Sequence, residues 1–188
     1  MELKNNKFRI LIVEDEKINI NSSIVKDYDY VHNPNNYTDK DFIKTFSIEI
    51  WSKNGHTKIA LVGDLHSSVD GCAIMEDTLI HILQNDTLST IDLLTTKVLH
   101  STNIDTFGCN FSIYPIETGY IIYGEIEIIK LTFDFTVEWR FSARDIFVSI
   151  YGRNAFELCS DRIKLYDFQD NYYEIDLNGK LICDIAAE

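Results

Sequence analysis

Basic residues, prolines and long apolar runs are all scarce in this chain, and each shortage excludes something. Seventeen lysines and arginines stand against thirty aspartates and glutamates, a formal charge of −13. A surface of that sign repels phosphate backbones and anionic lipid, which argues against a nucleic-acid reader or a membrane-bound protein. It suits a basic partner, drawn in by long-range attraction. No stretch approaches the run of about 18 apolar residues that a spanning helix needs. The opening MELKNNKFRI has no apolar core of signal-peptide length and no small-residue cleavage site, so the expected compartment is the cytoplasm. Cys72, Cys109, Cys159 and Cys183 show no C-x-x-C spacing and fall in or beside strand-like runs. They read as reduced thiols packed as small apolar groups, in preference to metal ligands or disulfides.

Helical periodicity is the next shortage. No window sustains it over three turns, whereas Ile, Val, Thr, Tyr and Phe are plentiful and turn-like pairs stand at Asn54-Gly55, Asn85-Asp86, Asp170-Asn171 and Asn178-Gly179. One short helix is predicted over Asp41–Thr45, capped by Thr38 or Asp39, with Phe42 and Phe46 on one face. Phe8–Val13 reads as a strand, and the polar, Asn-rich stretch 21–40 as an irregular connection.

What the chain does have is a worn repeat. FSIEIWSKNGHTKIAL, LSTIDLLTTKVLHS, IIKLTFDFTVEWRF and YYEIDLNGKLICD each run an alternating strand into a turn and a return strand. Ile48, Ile91, Leu131 and Ile175 serve as equivalent anchors, at intervals of 43, 40 and 44 residues. Three copies carry a second shared stretch upstream: GCAIMEDTLIHILQND, GCNFSIYPIETGYIIYGE and AFELCSDRIKLYDFQD, each a strand, a turn and a strand. Strand content of this kind, about four per unit, is that of a propeller blade, and one blade cannot bury its own faces without neighbours. The predicted fold is therefore all-β, a single domain over residues 1–188 with an N-terminal segment at 1–45 and antiparallel repeats over 46–188. It forms either a small four-bladed propeller, with Phe8–Val13 completing the last blade, or an open β-repeat array whose edges need cover.

The copies ending in TIDLLTTKVL and EIDLNGKLI resemble blades of the propeller superfamily that includes quinoprotein-type bacterial repeats, in which a blade often closes on a D-L-x-T/N-G-K stretch. The third copy has Thr132 where two others have Asp92 and Asp176, and it lacks the turn glycine. The resemblance implies fold. No cofactor is expected, because no cofactor motif of the quinoprotein enzymes is matched.

Two further resemblances bear on chemistry. FRILIVEDE is similar to the opening of a receiver domain, with Glu14 and Asp15 as a magnesium-holding pair and Asp64 as phospho-acceptor, but receivers need helices alternating with parallel strands. ALVGDLHSS is similar to the G-D-x-H motif of calcineurin-like phosphoesterases, which would make Asp64 and His66 metal ligands, yet no G-N-H-[DE] block follows. Neither a G-x-S-x-G elbow nor a basic neighbour activating a thiol is present. Polar loops on rigid scaffolds are where binding residues concentrate, so Gly63–Gly71, with Asp64, His66, Ser67, Ser68 and Asp70, is the candidate binding segment.

Tyrosines offer either a protein-binding face or filling between blades, and Trp51 and Trp139 are expected between blades. The leading expectation is a non-catalytic, bacterial-type interaction protein with an acidic surface, binding another protein in the way acidic immunity proteins bind basic toxins. The alternative is a metal-assisted hydrolase using Asp64 and His66, with Glu14, Asp15 or Asp70 as further ligands.

Overall fold

The computed structural model describes residues 1–15, 27–38, 41–104 and 109–187, and among these residues every regular element is a β-strand. The chain divides into two compact units, Met1–Thr106 and Phe107–Glu188, with two sheets in each.

In the first unit, β1 (Glu2–Lys4), β2 (Phe8–Glu14), β3 (Tyr30–His32), β4 (Ile43–Ser52) and β5 (Gly55–Asp64) form the first sheet, in the order β1-β2-β4-β5-β3. Its pairs are antiparallel except β3–β5. A second sheet follows as a plain meander of β6 (Ala73–Glu76), β7 (Leu79–Gln84), β8 (Thr87–Asp92) and β9 (Lys97–Asn103). Side chains alternate across a strand, so Phe8, Ile10 and Ile12 of β2 share a face with Phe46, Ile48 and Ile50 of β4, where Ile10 pairs with Ile50 and Ile12 with Ile48. That face packs on Cys72, Ala73, Ile80, Ile82 and Ile91 of the second sheet and its approach. Each fully buried isoleucine is worth about 1.5–3 kcal/mol by transfer from water.

The second unit repeats the meander twice. β10 (Asn110–Ile116), β11 (Gly119–Gly124), β12 (Glu127–Leu131) and β13 (Val137–Ser142) make the third sheet; β14 (Phe156–Leu158), β15 (Arg162–Tyr166), β16 (Tyr172–Asp176) and β17 (Leu181–Ile185) make the fourth. Ile121 and Ile128 meet Phe156, Ile163, Leu165, Tyr173 and Ile175 in their shared core. Tyr123 stacks on Phe156 at 4.7 Å between ring centroids, and Tyr114 stacks on the same ring at 5.0 Å. These tyrosines fill the space between sheets. Trp139 does so too, packing against this core and donating its indole N–H to the Leu177 carbonyl at 3.2 Å.

The four anchors prove equivalent in space. Ile48, Ile91, Leu131 and Ile175 are all fully buried and all lie on the third strand of their sheets. In the second, third and fourth sheets a register shift falls immediately before the anchor, at Thr90/Ile91, Lys130/Leu131 and Glu174/Ile175. A bulge there adds twist just ahead of the closing turn. The turn itself is held by the residue after the anchor. Asp92 accepts the Leu94 N–H and the Thr95 hydroxyl, and Asp176 accepts the N–H of Asn178 and of Lys180. Thr132 takes the same place, its hydroxyl oxygen accepting the Thr136 N–H at 3.1 Å.

Three expectations need correction. Phe8–Val13 pairs with β4 inside the first sheet and does not complete the last one, because its isoleucines match the β4 alternation. The helix over Asp41–Thr45 does not form: β4 begins at Ile43, Phe46 is buried within it and Phe42 is 83% exposed. The capping relation is reversed, with the Asp41 carboxylate accepting the Thr38 N–H and hydroxyl; Asp39 lies outside the described residues. Trp51 stands on the outer face of the first sheet, stacked on His56 at 4.8 Å with the Arg9 guanidinium 4.8 Å from its ring.

That outer face is polar around Trp51 and turns apolar further along, at Val13, Ala60 and Val62. Arg9 pairs with Glu2, His56 and Lys58 with Glu49, and Lys58 lies over the Tyr28 ring. Burial, then the Asp15 carboxylate that accepts its proton, pushes the Tyr28 phenol up to about 12. The outward face of the fourth sheet is likewise an ion-pair lattice, Arg162 with Glu174 and Lys164 with Glu157.

Candidate functional site

Gly63–Gly71 connects the first sheet to the second, leaving the end of β5 and entering β6. Gly63 has to be glycine because a Cβ there would lie 2.2 Å from the Gln84 side chain, whose amide donates to the carbonyls of Lys44 and Leu61. Beyond it the chain turns at once, with the Ser67 N–H donating to the Asp64 carbonyl.

The turn consumes much of the loop's polar chemistry. Asp64 Oδ1 accepts the His66 backbone N–H at 2.9 Å, so the two residues meet through backbone and not through the imidazole. Ser67 points inward, 1% exposed, and its Oγ makes no hydrogen bond; the Ser67 carbonyl accepts from Lys44 Nζ at 2.9 Å. Lys44 also pairs with Glu14 at 3.0 Å, tying the end of β2 to the loop. Ser68 Oγ accepts the Asp70 N–H, and Val69 packs into the core. His66 and Asp70 are exposed. Among the described residues no group of three or more His, Cys, Asp and Glu side chains is gathered closely enough to hold a metal ion.

The loop's surroundings are anionic. Burial raises the Tyr37 phenol, and the nearby carboxylates of Asp86, Asp64 and Asp41 raise it further. Elsewhere the described cations are largely neutralised within the fold: Lys7 by Asp77, Lys130 by Glu138, Arg140 by Glu127, Arg144 by Asp184 and Arg153 by Asp170. Acid in excess is what remains. Among the described residues no cysteine is in a disulfide, and burial pushes the Cys72 thiol up to about 12.

Sequence reading missed a second concave surface. In the second unit, the turns after β10, β14 and β16 bound an open cleft of about 800 Å³, lined by Pro115, Ile116, Glu117, Leu158, Cys159 and Leu177 among others. The turns at Glu117-Thr118 and Ser160-Asp161 lie within the strand–turn–strand stretches GCNFSIYPIETGYIIYGE and AFELCSDRIKLYDFQD. Their convergence depends on sheet pairing, which no local signal carries.

Meander sheets packed in pairs, with bulge and closing turn at one place in three of them, define a β-propeller-like repeat protein. No family model and no curated protein matches the chain. Among solved structures it is similar to the AfRom2 CNH domain, at 9% identity and a TM-score of 0.51, over 77% of this chain and 48% of that one. It is also similar to dihydro-heme d1 dehydrogenase NirN in complex with DHE, at 13% identity and a TM-score of 0.49, over 78% of this chain and 35% of that one. A third is BamB from Moraxella catarrhalis, at 11% identity and a TM-score of 0.44, over 64% and 37% of the two chains. The chain spans less than half the length of each of these three structures. At such identities the likeness is one of fold.

Proposed function

We propose that this chain is a non-catalytic, bacterial-type interaction module of the cytoplasm that binds a basic protein, in the manner of acidic immunity proteins. The observation that carries the reading is the internal neutralisation of its cations. Most of the described lysines and arginines face carboxylates of their own chain, which leaves a net −13 to be answered from outside. Asp41, Asp64 and Asp86 around Tyr37 are the assigned acidic rim, with His66, Ser68 and Asp70 beside it. Such fields act mainly on encounter rate, so the complex weakens as salt rises.

Affinity capture from the native host, followed by titration calorimetry of the purified pair, tests this. A basic partner is expected, with affinity falling as ionic strength increases and association slowing about tenfold in the triple variant Asp41→Asn, Asp64→Asn, Asp86→Asn at low salt. Recovery of no partner together with turnover of a small substrate overturns it. Metal analysis of chelator-free protein addresses the hydrolase alternative: a divalent ion that co-purifies and is lost in Asp64→Ala would favour that reading instead.

A further inference from the structure

Four turns of the first unit converge on a hollow of about 440 Å³. Asn6 and Lys7 come from the turn between β1 and β2, Lys53 and Asn54 from that between β4 and β5, Thr78 from that between β6 and β7, and Leu94 from that between β8 and β9. Its apolar wall is Phe8, 4% exposed, and Leu94, 61% exposed, a leucine held in the open by the turn that Asp92 fixes. The shape is set in advance. Asn5 Oδ1 accepts the N–H of Lys7 and of Phe8, the Asn5 amide donates to the Asp77 carbonyl, and Lys7 Nζ pairs with the Asp77 carboxylate at 2.8 Å.

In a chain of −13, this hollow is the exception in sign. None of the described residues that line it is acidic. Lys7 and Asp77 cancel, whereas Lys53 has no ion pair among the described residues, and the side-chain amides of Asn6 and Asn54 make no hydrogen bond among them. A shallower hollow shares Asn6, Lys7, Phe8 and Ser52 with it and adds exposed Lys4.

We infer that this hollow binds a small carboxylate with an apolar body, the Lys53 ammonium and the Asn6 and Asn54 amides donating to the carboxylate while Phe8 and Leu94 take the hydrocarbon. One unpaired ammonium balances one charge. A monoanion therefore fits better than a phosphate dianion, whose second charge would meet only the repulsion of the chain. The acidic rim at Asp41, Asp64 and Asp86 does not interfere. β5 runs from Gly55 to Asp64, so hollow and rim lie at its opposite ends, about 30 Å apart, which is several Debye lengths at physiological salt.

Amide chemical shifts of the isotope-labelled protein, titrated with naphthoate, with its neutral analogue naphthamide and with acetate, give the test. Naphthoate is expected to bind in about the millimolar range and to shift Asn6, Lys53, Asn54 and Leu94 together. Naphthamide lacks the charge and acetate lacks the rings, so each should bind weaker by about fivefold or more. Lys53→Met should lower naphthoate affinity about fivefold, the upper range for an exposed ion pair, and leave naphthamide unchanged; Leu94→Ser should weaken both. Both side chains are exposed, and circular dichroism checks that the fold is kept. The Asp41→Asn, Asp64→Asn, Asp86→Asn protein should bind naphthoate as the parent does, so this inference and the basic-partner reading fail separately. Absence of shifts at about 10 mM naphthoate, equal binding of naphthamide, or indifference to Lys53→Met or to Leu94→Ser overturns the inference.

Discussion

The first and fourth sheets bury equivalent anchors by different routes. The fourth is a meander in which each strand pairs with its neighbour in sequence, β14-β15-β16-β17. The first is assembled from separated segments, with β2 inserted beside β4 and β3 running parallel to β5 on the far edge. Both nevertheless place an isoleucine, Ile48 or Ile175, on the third strand at 0% exposure. Their outward faces are also solved differently, by an Arg9–Trp51–His56 ladder in one and by Arg162–Glu174 and Lys164–Glu157 pairs in the other. The lesson is that the repeat specifies a buried third strand and leaves open how the rest of the sheet is supplied.

The sharpest way to break the comparison is to empty the anchors. Ile48→Ala and Ile175→Ala should each cost about 2–5 kcal/mol, and similar amounts, because both sites are closed on all sides. Each unit carries one tryptophan, Trp51 or Trp139, so urea unfolding of Trp51→Phe and Trp139→Phe backgrounds reads each unit through the residue that is left. A mild effect at Ile48 beside a severe one at Ile175 would show that the first sheet is no true copy.

A smaller effect is expected at the closing turns. Gly179 sits at φ +80, and a Cβ there would approach Trp139 Cδ2 to 2.7 Å. Gly179→Ala should cost roughly 1–3 kcal/mol. Phe135 has φ 64 in the matching turn of the third sheet and stacks on Tyr120 at 5.5 Å. Phe135→Gly should be nearly neutral by chemical denaturation, since relief of about 1 kcal/mol of backbone strain offsets the lost stacking. A stable Gly179→Ala protein would mean that the two turns differ in kind.

These turns show where the sequence was readable and where it was not. The anchors stood out because each sits in a strand-like run just ahead of a recognisable turn, and in β4 alternation puts Glu49 and Trp51 opposite Ile48 and Ile50 on the outward side. Thr132 looked like a departure from the pattern because identity at that place varies while the requirement, a side-chain oxygen that accepts a hydrogen bond from the closing turn, does not. Pairing of Phe8–Val13 with β4 crosses a long connection, and no local signal records it. At the candidate loop, the Asp-x-His spacing would place two side chains together on a continuing strand, but β5 stops at Asp64 and His66 falls in the turn.

Acid provides the finest distinction, with an effect well under about 1 kcal/mol once solvent screening of an exposed group is allowed for. The Leu94 N–H, followed by the Thr95 hydroxyl, holds the Asp92 carboxyl below its ordinary value near 3.9. A depressed carboxyl contributes stability that is complete above its unfolded pKa and is lost as pH falls through the folded one, hence below about pH 4. Asp92→Asn should flatten that part of the pH–stability curve of the first unit, read through Trp51. An unchanged slope between about pH 4 and 2 would remove Asp92 from the account.

Cys72 lies beneath the first sheet with no exposed surface, its thiol 3.9 Å from the Met1 sulfur and its titration displaced to about 12. In the native protein it is therefore almost wholly unionised at neutral pH and shielded from alkylating reagents. The rate at which it becomes labelled is a built-in clock for the opening of the first unit, one that needs no added dye and leaves the second unit unread.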